Sequence, residues 1–242
     1  MNLLLADAAE FSPNRTLTLT NSRATHLTRV LRVAIGDTVR IGAINGPRGT
    51  GTVIALTDHS ATLSCTFEDR PPPRPRIDLL LALPRPKVMK RLWAQLAALG
   101  VGRIFLTNAA RVERNYFDTH VLDPAFFTPL LIEGLQQAQD THLPEVSIHR
   151  RLKPLIEVEQ AALSDISIRL IAHPYAHEQA REAIHPRAED RILLAIGPEG
   201  GWVSFELDLL AAHGFRAVNF GSRILRTDTA CIAALATLHH LL

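Results

Sequence analysis

The sequence predicts an α/β protein in which a small β-barrel precedes a mostly parallel sheet. Three observations lead there: short alternating strands fill the first 70 residues, a proline-rich break (RPPPRPR) covers 70–76, and continuous apolar runs then alternate with helical stretches. Period-two alternation marks strands with one wet face, whereas strands apolar throughout are covered on both faces by helices. At 242 residues the chain is long enough for two modest domains.

In the first region NLLLA near the start, TLTLT (16–20), TVRIGAI (38–44), GTGTVIALT (49–57) and ATLSCTFE (61–68) read as strands. Asn45-Gly46-Pro47 and Asp58-His59-Ser60 supply the turns between them. One helix interrupts the series at 22–33, where Leu27, Val30 and Leu31 share the i, i+3, i+4 spacing of an apolar stripe, with Gly36 and Asp37 following. Consecutive prolines lack the donor a sheet needs and favour a stiff extended segment. The expected division is a barrel over 1–70, a linker over 71–76 and a second domain over 77–242.

That second domain opens with a strand (77–84), a helix (86–100) and a strand (103–108). Val88, Leu92, Trp93, Leu96 and Leu99 give the helix one apolar stripe, Pro86 suits its first turn, and Gly100 suits the position just past its end. The pattern resumes with helix 123–139, strand 145–150, helix 152–163, strands 168–173 and 192–197, helix 203–213, strand 217–221 and helix 227–241.

Composition narrows the class. Hydrophobic residues make up 47% and charged residues 21%, which excludes a disordered chain or a coiled coil. No apolar run approaches the roughly 18 residues a membrane span requires, and MNLLLADAAEF lacks the basic start of a secretory signal. Cys65 and Cys231 form neither a CxxC pair nor a metal quartet. His173 and His177 have metal-compatible spacing, but Pro174 between them disfavours a shared helix. A cytosolic protein without membrane or metal partners is expected.

The net charge of +2 conceals an asymmetry, because residues 1–73 carry +1, 74–120 carry +6 and 121–242 carry −5. The middle surplus is the footprint of a phosphate-binding face, though a solvated surface has the same composition. Only Lys87, Lys90 and Lys153 among the 26 basic residues are lysines; arginine suits bidentate phosphate contacts, and a GC-rich genome produces the same bias.

Two glycine-rich junctions join strands to helices: IGPEGG at 196–201 and FGSRILRTDTA at 220–230, the latter with Thr227 or Asp228 as N-cap. Glycines there let a backbone approach a ligand and expose amide donors beside a helix start. IAHPY at 171–175 ends a third strand, and strand-end loops gathered at one edge of a parallel sheet are where α/β proteins bind ligands. Neither junction matches a GxGxxG or GxxxxGK[ST] loop, and no GxSxG elbow exists to anchor a hydrolase triad.

The run LLAIGPEGGW with FGSRILRTDTA resembles the signature of the RsmE family, 16S ribosomal RNA uridine N3-methyltransferases of the SPOUT class. HLTRVLRVAIGDTVRI resembles that family's opening helix and strand in its PUA-like barrel, and RLWAQLAALGV with LQQAQDTHLPEV resembles its central segments, so the likeness covers nearly the whole chain. The resemblance implies a C-terminal trefoil knot, a homodimer, and S-adenosyl-L-methionine held by loops 171–174, 196–201 and 219–230. The cofactor residues it implies are Ala172, His173 and Pro174, then Ile196, Gly197, Pro198, Gly200 and Gly201, then Phe220, Gly221, Ile224, Leu225 and Thr227. RNA contacts are expected from Arg29 and Arg32 in the barrel and from Arg85, Lys87, Arg91 and Arg111, the RNA being 16S ribosomal RNA within an assembled small subunit. Val203 stands where the family commonly has serine, Glu206 keeps the acidic position that follows, and Gln136-Gln137-Ala138-Gln139-Asp140 departs from EQSGR.

The chemistry so implied removes the weakly acidic proton of uracil N3 and aligns the base with a reactive methyl group. Arg226 is the residue expected to favour the anionic uracil by its charge, and Glu199 the nearest proton acceptor. Two other readings stay open: a SPOUT methyltransferase acting on a ribose 2′-hydroxyl or on transfer RNA, and a catalytically inactive RNA-binding protein.

Overall fold

A computed structural model describes residues 3–158 and 163–242. The last part of the helix expected at 152–163 lies outside the described residues. Two compact units form: Met1–Arg74 with Ile132–Leu143, and Pro75–Leu131 with Pro144–Leu242.

In the first unit β1 (Leu4–Ala6), β2 (Thr16–Thr20), β3 (Thr38–Ala43), β4 (Arg48–Leu56) and β5 (Ser60–Phe67) make one sheet in the order β1-β3-β4-β5-β2. The β1–β3 pair is parallel and the others antiparallel. Alternation places Leu17, Leu19, Leu63 and Cys65 inside, where they meet Leu4, Leu27, Ile41 and Val53. The turn at Asn45 and Gly46 closes through Gly46 N–H to the Ala43 carbonyl (2.9 Å), with Asn45 at φ +57°. Among the described residues β1 and β2 are edges, so main-chain pairing does not close the expected barrel.

The helix in this unit departs from expectation. It begins as α1 (Asn21–Thr25) and continues as π-helical turns over His26–Val30, with Leu31 N–H bonded to the His26 carbonyl five residues back (3.0 Å). The wider turn rotates the apolar stripe away from the core. Leu27 is fully buried, whereas Val30 and Leu31 are 63% and 42% exposed.

Ile132–Leu143, read from sequence as an uninterrupted part of the second domain, belongs instead to the first unit. Asn45 N–H donates to the Thr141 carbonyl (2.7 Å), Leu143 N–H to Asn45 Oδ1 (2.9 Å), and buried Thr141 donates from Oγ1 to the Gly46 carbonyl (2.7 Å).

The second unit holds a parallel sheet of β6 (Ile77–Ala82), β7 (Val101–Thr107), β8 (Glu145–His149), β9 (Ile168–Ala172), β10 (Ile192–Ile196) and β11 (Arg216–Val218), ordered β11-β9-β10-β6-β7-β8. β6 and β10, at the centre, are buried along their whole length. Surrounding them are α2 (Pro86–Ala98), α3 (Pro124–Ala138, whose last turns pass into the first unit), α4 (Leu152–Glu157), α5 (Ala180–Ala183), α6 (Ser204–Ala212) and α7 (Thr227–Leu241). In α2, Pro86 occupies the first turn, Leu92, Trp93 and Leu96 are buried, and Gly100 takes φ +68° just past the end. Trp93 stacks on Phe127 at 4.6 Å between ring centroids. Among the described residues no helix is long and apolar enough to cross a membrane.

Candidate active site

Register decides where the site lies. Ile196 at the end of β10 pairs with Leu81 of β6 and with Ala172 at the end of β9, and Ala172 pairs with Val218 at the end of β11. The loops leaving β9, β10 and β11 therefore start level with one another at the carboxyl edge of the sheet. They enclose a cavity of about 340 Å³, within the roughly 300–1,000 Å³ usual for small-molecule sites.

Each loop has its own local cause. After β9, His173 N–H bonds to the Val218 carbonyl (3.0 Å), and Asn219 Nδ2 donates to the carbonyls of Ala176 (2.8 Å) and Glu178 (3.2 Å). After β10, Gly201 N–H closes a turn onto the Pro198 carbonyl (2.8 Å), with Gly201 at φ +75°. Gly197 lies so close to Trp202 that a Cβ on it would meet the indole at 3.1–3.2 Å. After β11, Gly221 at φ +125° turns the chain toward α7.

The cavity brings together all the expected cofactor residues: Ala172, His173 and Pro174 from the first loop, Ile196, Gly197, Pro198, Gly200 and Gly201 from the second, Phe220, Gly221, Ile224, Leu225 and Thr227 from the third. Glu199 also lines it, and its Oε1 accepts the Arg85 N–H at 3.2 Å. Arg226 does not line it. Its backbone caps α7, correcting the expectation of Thr227 or Asp228 there, and its exposed side chain makes no cap bond. Thr227 is buried in the first turn, and Asp228 pairs with Arg91 (2.7 Å). Burial opposes the charge on Asp228, but the Arg91 hydrogen bond and charge prevail and hold its carboxyl below the usual range.

Sequence reasoning missed Tyr175, Trp202 and Arg223 in the wall, and assigned Arg111 to RNA alone. Among the described residues the Trp202 indole N–H is buried without a hydrogen-bond partner, in a residue only 6% exposed. Arg111 donates from Nη1 to the Gly200 carbonyl. Of the other residues expected to meet RNA, Arg29 and Arg32 are exposed in the first unit, and Arg85 and Lys87 are exposed in the second. Arg91 spends part of its charge on Asp228. In α7, burial and the charge of Asp228 push the pKa of the Cys231 thiol far up, which disfavours the reactive thiolate. Among the described residues no three His, Cys, Asp or Glu side chains converge as metal ligands would.

A parallel sheet carrying a glycine-walled cavity at its carboxyl edge defines an α/β protein built to hold a small ligand there. The chain belongs to the RNA methyltransferase family: the family model described as an RNA methyltransferase domain matches residues 70–239, and that of an RNA methyltransferase PUA domain matches 19–64. Curated relatives named ribosomal RNA small subunit methyltransferase E include one from Treponema pallidum, 29% identical over 98% of this chain and 90% of its own length. Another, from Borreliella burgdorferi and designated E 1, is 26% identical over 97% of this chain and 95% of its own. Among solved structures, the ribosomal RNA small subunit methyltransferase E of Neisseria gonorrhoeae bound to S-adenosyl methionine shares the fold with a TM-score of 0.80, at 24% identity, covering 100% of this chain and 98% of that one.

Proposed function

We propose that this protein methylates N3 of a uridine in 16S ribosomal RNA, with S-adenosyl-L-methionine as donor. One observation carries the reading: a single cavity collects three strand-end loops, two of them glycine-bearing, in a chain whose relatives, matched over nine-tenths or more of their length, bear the name ribosomal RNA small subunit methyltransferase E. The residues present fit such a cofactor. Gly201 and Gly221 hold backbone that side chains rarely adopt, Ile196, Ile224 and Leu225 offer apolar wall, and the buried Trp202 N–H is a donor without an acceptor among the described residues.

When bound, the cofactor supplies a methyl group on a sulfonium centre. The chain's part is alignment and charge. Holding two reactants in register is worth about 7–11 kcal/mol, and here that falls to the loops after β9, β10 and β11. Arg226, exposed beside the wall rather than within it, is suited to the incoming RNA, where a fixed positive charge favours the deprotonated uracil. Glu199, tethered through one oxygen to the Arg85 N–H, keeps its other oxygen for the N3 proton. Arg29, Arg32, Arg85 and Lys87 contribute phosphate contacts.

The family resemblance further supports a SPOUT-type trefoil knot and a homodimer in the cytoplasm acting on the assembled small subunit. β10 lies in the sheet between β6 and β9, and Phe205 and Ile232 are exposed (63% and 38%). Mass spectrometry of 16S RNA from a deletion strain tests the substrate: loss of one methyluridine, restored by the gene, is expected. An unchanged RNA overturns the assignment.

A further inference from the structure

Glu206 lies in the first turn of α6, only 6% exposed, with no arginine or lysine among its partners in the described residues. It is nonetheless bound at both oxygens. Oε1 accepts the Ala110 N–H at 2.7 Å, and Oε2 accepts the Val203 N–H at 2.9 Å. These amides belong to different loops, one leaving β7 and one ending the glycine loop after β10. β7 and β10 are not neighbours, since β6 lies between them. No sheet hydrogen bond therefore sets the two loops against each other, and the carboxylate bridges them. A second contact joins the same two loops. Arg111 follows Ala110, lines the cavity, and donates to the Gly200 carbonyl, and its Cδ and Cβ would lie 2.9 and 3.3 Å from a Cβ on Gly200. Val203 has no side-chain oxygen for the N-cap position, and the Glu206 carboxylate reaches back to its N–H instead.

We propose that Glu206 is a positioning residue of the cofactor cavity: its single buried carboxylate latches the loop after β7 to the glycine loop, and so seats Arg111 on Gly200 as part of the wall. The inference rests on the cofactor reading above. A residue acting in this way links ligand affinity to the joint order of two loops that share no strand pairing. Replacing one oxygen by NH2 keeps size and burial but sets a donor against a backbone N–H, which leaves an amide unsatisfied.

The test joins hydrogen exchange to calorimetry. In the wild-type protein without cofactor, the amides of Ala110 and Val203 are expected to be protected alike and to gain protection together when S-adenosyl-L-methionine is added. In Glu206→Gln at least one of them exchanges about tenfold faster, and the cofactor Kd weakens about tenfold, at temperatures where circular dichroism reports a folded protein. A carboxylate that merely stabilises the fold lowers Tm and leaves that Kd within twofold of wild type, which overturns the proposal. If the variant does not fold, the wild-type exchange decides: two amides with unrelated protection overturn it equally. Wild-type protein that binds no S-adenosyl-L-methionine at all sinks the functional reading, while amide protection in the cofactor-free protein still judges the latch.

Discussion

The two edges of the parallel sheet use polar groups in opposite ways. At the amino edge, fully buried Asp78 of β6 is saturated: Arg103 reaches it through N–H (2.9 Å), Nε (2.9 Å) and Nη2 (2.6 Å), and Arg191 through Nε (2.6 Å) and Nη2 (2.7 Å). Asp165 adds a second carboxylate to Arg103 at 2.8 Å. The fit is tight enough that a Cβ on Gly102 would meet Arg191 Nη2 at 2.7 Å and Asp78 Oδ1 at 3.0 Å. At the carboxyl edge the glycines at 201 and 221 face open space, and the Trp202 N–H has no partner among the described residues. Buried charge is tolerated when it is fully paired, whereas donors left unpaired around a cavity await a ligand. One edge is closed by paired charge and the other carries an open cavity.

The contrast is broken most severely at the closed edge. Asp78→Ala strands two arginines that are 18% and 21% exposed, and a loss of about 3–5 kcal/mol is expected in urea unfolding. A change below 1 kcal/mol would mean that the cluster is not the closed edge described.

At the open edge the expected losses fall on function. Arg226→Ala should slow single-turnover methylation by about 10²–10³, or ~2.7–4 kcal/mol, while cofactor affinity and Tm change little. Raising pH should partly restore the rate by supplying anionic uracil. Coupled losses of Tm and cofactor binding, without recovery at high pH, would make Arg226 a structural residue.

A smaller effect separates the glycines. Gly201→Val places a β-branched residue at φ +75°, straining the turn by about 1–3 kcal/mol, and calorimetry should find cofactor binding lost in a folded protein. At Gly200 the obstacle is the flexible Arg111 side chain, so Gly200→Ala should be milder than Gly201→Val. The reverse order would refute this account of the wall.

The mildest test is acid. Burial opposes the charge of Asp165, but the hydrogen bond and charge of Arg103, aided by Arg191, hold its pKa below the ordinary value of 3.8. Burial likewise opposes the charge on Arg103, and Asp78 and Asp165 outweigh it, raising its pKa. A lowered carboxylate contributes stability that is present above its unfolded pKa and lost as pH falls through the folded one. Unfolding at pH 5 and pH 3 should therefore show a smaller acid loss in Asp165→Asn than in wild type. Because Asp165 is 53% exposed the difference is small, and an identical acid loss would remove Asp165 from the cluster.

What the sequence determined by itself is local. Period-two alternation placed Leu17 and Leu19 on one face of β2, continuous apolar runs marked β6 and β10 as covered on both faces, Pro86 and Gly100 bounded α2, and the two glycine junctions with the strand end at 171–175 named the three loops of the cavity. These signals depend on neighbours a few residues away, where backbone conformation and side-chain direction are coupled. Only the tertiary structure decided the partners. The Arg91–Asp228 pair spans 137 residues and Asp78–Arg191 spans 113, and nothing in the spacing of charges along a chain states which opposite charge each one will meet. The same holds for Ile132–Leu143, whose place in the first unit rests on hydrogen bonds to Asn45 and Gly46. It holds too for Val30 and Leu31, which a regular α-helix would have buried and a wider turn exposes. Such choices are settled by which groups burial forces to find a partner, and burial is a property of the whole packed unit.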